Sequence, residues 1–159
     1  MESILSIKKT WFGDDADADT LSISARKSKL WWSKSTALDQ QLRSQFGPIV
    51  KAAAQHQLDD WAASADGLLA LILLTDQFPR NIYRDHSDAF VTDSQARDWC
   101  KLALTRKAGI KLRALERVFL YMPLEHSEQL ADQELSVSLF QALLAQATAA
   151  EKKLFRGYL

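Results

Sequence analysis

The sequence predicts an all-α protein built from antiparallel helix hairpins. Only five glycines and three prolines interrupt 159 residues, and the strict apolar–polar alternation of a half-buried strand is nearly absent. Alanine, leucine, glutamine, lysine and arginine dominate the composition, and all five favour helices. Short polar links between the apolar helical stripes favour antiparallel neighbours, packed either as a bundle or as a short solenoid.

The first 34 residues are the least regular part of the predicted structure, and we expect an irregular segment over 1–34. Trp11-Phe12-Gly13 is followed there by an acidic run, Asp14 to Asp19. Its alternating aspartates are similar to a calcium-binding loop, but the later glycine and distal glutamate of such a loop are missing. We therefore predict no metal site. The length of the chain fits a single all-helical domain over 1–159.

Two helices are predicted in the middle of the chain. Ser35 or Thr36 can cap the first of them, and Pro48 is expected to kink or divide it. Ser64 is expected to open the second, which carries the most apolar run of the sequence and should end before Pro79.

Three helices and a final helical segment are predicted in the remaining part. Thr92 and Gln95 have the spacing of a capping box, which would start the third helix. The fourth covers about Leu112 to Met122 and should stop before the next proline. Ser127 is expected to cap the fifth, and the last segment lies within 148–159.

The most informative stretch runs from Asp76 to Arg84. An all-apolar run, Leu68 to Leu74, leads into it and is typical of a buried helix. Pro79 lacks an N–H group and clashes with the preceding turn, so it should break that helix. Polar side chains would then meet at the end of a core helix, where fixed groups can contact a ligand. The candidate ligand-binding residues of this stretch are Asp76, Gln77, Arg80, Asn81, Tyr83 and Arg84.

The two arginines of this stretch have two possible roles. Arg80 and Arg84 could hold an anion through bidentate guanidinium contacts. Alternatively, Asp76, Asp85 or Glu125 could neutralise them in ion pairs that only fix the turn. The sequence leaves both interpretations open.

A second polar cluster, Glu125-His126-Ser127-Glu128, follows the third proline. Histidine titrates near neutrality, so a flanking carboxylate could tune His126 for proton transfer. Glu125 and His126 are therefore candidate ligand-binding residues and also the candidate catalytic residues. A structural hydrogen bond that caps the fifth helix is the alternative role of His126.

Composition excludes several classes of protein. Twenty basic residues balance twenty acidic ones, so the chain has no charge signature of nucleic-acid or membrane binding. A single cysteine, Cys100, excludes an intramolecular disulfide and a cysteine-based zinc site. The sequence has no signal pattern, glycine-rich phosphate loop or nucleophile elbow. We expect a cytoplasmic protein without a cofactor.

Several stretches together resemble one family across nearly the whole chain. The most specific strings are LILLTDQFPRNIYR and ERVFLYMPLEHSEQLADQE. The shorter ones are Trp11-Phe12-Gly13, Leu30-Trp31-Trp32, Phe46-Gly47, Leu58 to Trp61 and Ala89 to Asp93. They occur in the same order in the bacterial family known as domain of unknown function 924.

The resemblance implies a fold more than a function. Members look tetratricopeptide-like, with helix hairpins stacked into a right-handed array whose concave face usually binds peptides or other partners. The family's motif adds Ser127, Asp132 and Gln133 to the candidate residues named above. Members usually continue into a further C-terminal helical stretch, which we expect this chain to lack, and a homodimer is one way in which it could complete the pocket.

Three functional hypotheses follow. The first is a binding module whose polar pocket takes a small anionic ligand or an acidic peptide end. The second is a structural or protein-interaction scaffold with no ligand. The third is a cofactor-independent hydrolase or lyase, with His126 as general base and Arg80 stabilising developing negative charge.

Overall fold

The computed structural model describes residues 2–14 and 19–158, and this part of the chain contains helices and no strand. The prediction of an all-α fold is confirmed. The α-helices are α1 (Ile4–Phe12), α2 (Thr20–Trp32), α3 (Thr36–Ala54), α4 (Ala65–Ile72), α5 (Phe78–Ile82), α6 (Asp93–Thr105), α7 (Ala114–Glu125), α8 (Leu130–Gln146) and α9 (Ala149–Arg156). None of the described helices is long and apolar enough to cross a membrane.

The prediction of an irregular segment over 1–34 is wrong, because α1 and α2 lie there. The Ser3 side chain accepts a hydrogen bond from the backbone N–H of Ser6 and starts α1. Asp19 caps α2 in the same way by accepting from the N–H of Ser22 at 2.8 Å. Buried residues such as Trp11 then fix both helices to the core. The middle of the calcium-like acidic run, 15–18, lies outside the described residues.

The core surrounds the central helical stretch 65–82. Leu68 to Leu74 are almost completely buried, as the apolar run predicts. Helix α4 packs against α1, α6 and α7, and α5 packs against α3. The Trp11 ring contacts the rings of Phe78 and Phe119 at centroid distances of 5.4 and 5.6 Å. Helices from both halves of the chain therefore converge on the segment that carries the first polar cluster.

The expectation that the helix ends before Pro79 is also wrong. A π-helical turn, Leu73–Gln77, joins α4 directly to α5, and the N–H of Phe78 bonds to the carbonyl of Leu73. Pro79 lies in the first turn of α5, where its missing N–H is tolerated. The carbonyl of Thr75, which Pro79 cannot pair, accepts a hydrogen bond of 2.6 Å from the Thr92 hydroxyl. The chain thus continues as a helix because a neighbouring side chain replaces the lost bond.

Other helix boundaries differ from the prediction for similar reasons. Pro48 lies inside an uninterrupted α3, and α7 continues through Pro123 to Glu125. Thr92 makes no capping hydrogen bond to α6, and its hydroxyl instead donates to the carbonyl of Thr75. Helix α8 begins after Gln129 rather than Ser127.

Candidate functional site

The two polar clusters of the sequence lie next to each other in the structure. The first occupies the π-turn and α5, and the second occupies the C-terminal end of α7. His126 Nδ1 lies 2.8 Å from Asp76 Oδ1, although fifty residues separate them. Glu125, beside His126, faces the same cleft as Gln77 and Arg80. Tertiary packing of α7 against the π-turn therefore brings the two clusters together into one site.

Asp76 is the centre of this site. It is completely buried and accepts hydrogen bonds from three side chains. Besides His126, the Gln77 amide donates to Oδ2 at 2.9 Å and the Arg80 guanidinium donates to Oδ1 at 3.1 Å. Three donors satisfy a carboxylate that burial would otherwise destabilise. The π-turn supports this arrangement, because it carries Asp76 and Gln77 into the interior.

Asp76 also orients the imidazole of His126. An ionised carboxylate accepts from Nδ1–H, so the neutral ring carries its proton on Nδ1 and its free electron pair on Nε2. The His126 side chain is 26% exposed, and Nε2 forms no hydrogen bond with the described part of the chain. His126 does not cap α8. It presents one nitrogen atom to the cleft and fixes the other against Asp76.

The segment that follows His126 is tied to α8. Ser127 Oγ donates to Asp132 at 2.7 Å, and Lys101 forms an ion pair with the same carboxylate at 3.1 Å. The Gln133 amide donates to the carbonyls of Glu125 and Ser127 at 2.8 and 2.5 Å. Ser127, Asp132 and Gln133 therefore hold the end of α7 in place rather than contact the cleft.

Both arginines of the first cluster form internal ion pairs. The Arg80 guanidinium donates to both oxygens of Asp93 at 2.9 Å, in addition to Asp76. Arg84 donates to both oxygens of Asp39 at 2.6 and 3.1 Å. These bidentate pairs favour the interpretation in which the arginines fix local structure. Of the partners considered from the sequence, only Asp76 is used, because Asp39 and Asp93 come closer.

Asp39 also connects the first cluster to the N-terminal half of the chain. The Asn81 amide donates to the carbonyl of Leu30 at 3.2 Å and to Asp39 at 3.4 Å. These bonds join α5 to α2 and α3. Since α2 ends with Trp31-Trp32, they bring both tryptophans to the rim of the cleft.

A cleft of about 230 Å³ lies between these elements. Its polar lining consists of Gln77, Arg80, Asn81, Arg84, Glu125 and His126, and its apolar lining of Trp31, Trp32, Met122 and Tyr158. Six of the eight predicted ligand-binding residues therefore share one cavity. Asp76 lies behind it, and Tyr83 lines a separate depression of about 600 Å³ together with Arg43 and His86.

Glu125 is the lining residue with an unsatisfied group. Its Oε2 atom is buried and has no hydrogen-bond partner in the described structure. Burial raises the pKa of the Glu125 carboxyl, and nearby Asp76 raises it further, whereas His126 opposes the shift. A buried acceptor without a donor is costly, and Glu125 lines the cleft, so its carboxylate is a natural contact for a hydrogen-bond donor there.

The aromatic wall of the cleft, formed by Trp31, Trp32 and Tyr158, was partly missed by sequence reasoning. Trp31 packs in the core, with its ring 4.9 Å from that of Phe119, whereas Trp32 remains 44% exposed. The Tyr158 ring lies 4.7 Å from the Trp32 ring, and its hydroxyl is 2.6 Å from Ser24 Oγ. Nothing in the sequence pattern links Tyr158 to residues more than a hundred positions away.

Comparisons with known proteins agree with the resemblance found in the sequence. The model of a family described as "bacterial protein of unknown function (DUF924)" matches residues 7–158. A solved structure of a protein of unknown function from Agrobacterium tumefaciens is 31% identical, with a TM-score of 0.72. The match covers 87% of this chain and 81% of that protein. No curated protein matches this chain.

Proposed function

Because this chain belongs to the DUF924 family of bacterial proteins of unknown function, we propose a function from its cleft: it is a binding module for a small polar ligand. The ligand contacts are His126 Nε2 and the Glu125 carboxylate, and Gln77, Arg80, Asn81 and Arg84 complete the polar lining. The volume of about 230 Å³ suits a small molecule better than a peptide segment.

The Asp76–His126 pair is the observation that carries this proposal. A completely buried carboxylate fixes the imidazole at 2.8 Å. Burying the charge of Asp76 behind the partly exposed His126 ring costs free energy. A loop with only a structural role would not need this arrangement. Such an orienting contact prepares the opposite nitrogen for a partner, as in other sites where histidine acts.

The anionic ligand expected from the sequence has weaker support. Its main contacts would be Arg80 and Arg84, and each already donates two hydrogen bonds to an aspartate. An anion would have to compete with these carboxylates. An acidic peptide end meets the same difficulty.

Native mass spectrometry of the purified protein, together with a thermal-shift screen of metabolites, tests the binding function. We expect a copurifying mass, or a rise in melting temperature that His126→Gln abolishes. His56→Gln is the matched control, because His56 is an exposed histidine outside the cleft. A rise that survives in His126→Gln would place the ligand elsewhere. A bare mass and no shift would favour the scaffold hypothesis.

An acid–base enzyme is the second candidate, and the same buried pair supports it. Asp76, rather than Glu125, would orient His126 as the general base of a hydrolase or lyase. Arg80 is a poor stabiliser of developing negative charge, since Asp93 already holds it. A panel of ester and amide substrates tests this function, and turnover that persists in His126→Gln would contradict it.

Two finer features remain proposals. We infer a tetratricopeptide-like stacking of the helices from the resemblance to the family.

The single cysteine, Cys100, is buried, and burial raises the pKa of its thiol to about 12. An unreactive thiol of this kind fits a protein that works in the cytoplasm.

A further inference from the structure

Resting on the binding function proposed above, we propose that the ligand of this cleft is a small organic ammonium ion. Its N–H groups would donate to the Glu125 carboxylate and to His126 Nε2, and its charge would lie against the exposed part of Trp32. The unpaired Glu125 carboxylate, the free nitrogen of His126 and the partly exposed Trp32 support this assignment.

The cationic side chains that line the cleft already have anionic partners, whereas its carboxylate Glu125 has no cationic one in the described structure. Arg80 and Arg84 are the cationic side chains that line it, and three carboxylates (Asp39, Asp76 and Asp93) contact them. Both guanidinium charges are therefore neutralised within the protein. Glu125 has no cationic partner among the described residues, so a cationic ligand would complete the pairing of charges in the cleft.

The cleft also contains hydrogen-bond acceptors that have no donor. Glu125 Oε2 is buried and accepts no hydrogen bond in the described structure. His126 Nε2 faces the cleft with a free electron pair in the tautomer that Asp76 favours. A primary ammonium group supplies three N–H donors and no acceptor. It therefore matches two acceptors that no described side chain satisfies.

The aromatic wall favours a cation over a neutral donor. Tryptophan is the strongest cation–π partner among the side chains. Trp32 is 44% exposed, and the Tyr158 ring, anchored by its contact with Ser24, lies tilted beside the Trp32 ring at a centroid distance of 4.7 Å. The ring surface is thus held in place at the edge of a cavity that also contains Glu125.

The volume of the cleft limits the size of the ligand. About 230 Å³ is smaller than the ~300–1,000 Å³ of pockets for drug-sized ligands. An alkylamine or short diamine of similar size fits, and a nucleotide or a peptide does not. Butylamine is therefore a suitable probe, with butanol and butyrate as neutral and anionic molecules of the same length.

Calorimetric titration at constant ionic strength, with the Trp32 indole N–H followed by NMR, tests the assignment. We expect butylammonium to shift the Trp32 signal and to bind about tenfold or more tightly than butanol or butyrate, the effect of one charge-assisted contact. Glu125→Gln should remove this preference. Glu128→Gln, an exposed glutamate outside the cleft, is the charge-matched control.

The outcomes separate this inference from the binding function on which it rests. Tighter binding of butyrate or inorganic phosphate, with the Trp32 signal shifted, would overturn the ammonium assignment and leave the binding function intact. An unchanged preference in Glu125→Gln would also overturn the assignment. If no probe shifts Trp32, the assignment falls, and the His126-dependent thermal-shift screen alone decides whether the cleft binds another ligand.

Discussion

Replacing Asp76 by asparagine removes one buried negative charge and keeps the shape of the side chain. The carboxylate accepts from His126, Arg80 and Gln77 at 2.8, 3.1 and 2.9 Å and has no exposed surface. Asparagine has one oxygen acceptor and brings an NH₂ group towards donors. At least one of the three donors is therefore left without its partner.

The expected loss of stability can be worked from these contacts. Breaking a buried ion pair by removing one partner costs about 3–5 kcal/mol. Arg80 keeps both hydrogen bonds to Asp93, which places the expected loss at the lower end, about 3 kcal/mol. For a chain of this length, that loss lowers the melting temperature by roughly 6–12 °C.

Urea unfolding followed by far-UV circular dichroism measures this loss. We expect a lower midpoint with an unchanged slope, since the fold itself is retained. Asp98→Asn is the control, because Asp98 is exposed on α6 and forms no ion pair with the described residues. A loss below about 1 kcal/mol, the scale of an exposed pair, would refute the central role of Asp76. A double-mutant cycle with His126→Gln isolates the coupling between the two side chains.

Three further predictions concern stability. Because the pKa of Glu125 is raised above 4.5 in the folded state, wild-type stability decreases as pH rises from that value through the folded pKa; Glu125→Gln should therefore be more stable than wild type at pH ~7 and similar at pH ~4 in urea titrations. Thr92→Val removes the hydroxyl that donates to the buried Thr75 carbonyl and should cost about 1–3 kcal/mol in urea unfolding; no measurable loss would contradict the role of this bond. Gly67→Ala would place a Cβ atom 1.7 Å from a backbone oxygen and should unfold the protein or cost about 3 kcal/mol or more, whereas Gly47→Ala, with open space around it, should gain up to about 1 kcal/mol; equal melting temperatures for the two variants would contradict this prediction.

Helix type could be predicted from the sequence more reliably than helix ends. The apolar run Leu68 to Leu74 is buried as expected, because periodicity and propensity act over a few neighbouring residues. The end of that helix was mispredicted, since the bond lost at Pro79 is replaced by the Thr92 hydroxyl. A proline rule includes only the local cost and cannot include such compensation.

The site was predictable as two clusters but not as one arrangement. Their dense polar composition at the ends of apolar helices identified Asp76, Arg80 and His126 as candidates. The partners of the arginines were not predictable, because Asp39 lies 45 residues from Arg84 and Asp93 lies 13 from Arg80. These partners change the expected ligand, since they neutralise the charges that an anion would need.

The sequence by itself determined the helical class, the buried central run and the residue types available for a site. Those features depend on propensity and on contacts three or four residues apart, which are already present in the order of residues. Only the tertiary structure decided that Asp76 supports His126, that Asp39 and Asp93 neutralise the arginines, and that Glu125 keeps a free oxygen. Each of these contacts depends on which side chain from a distant part of the sequence lies within bonding distance of a given atom. Packing of the whole chain sets those distances.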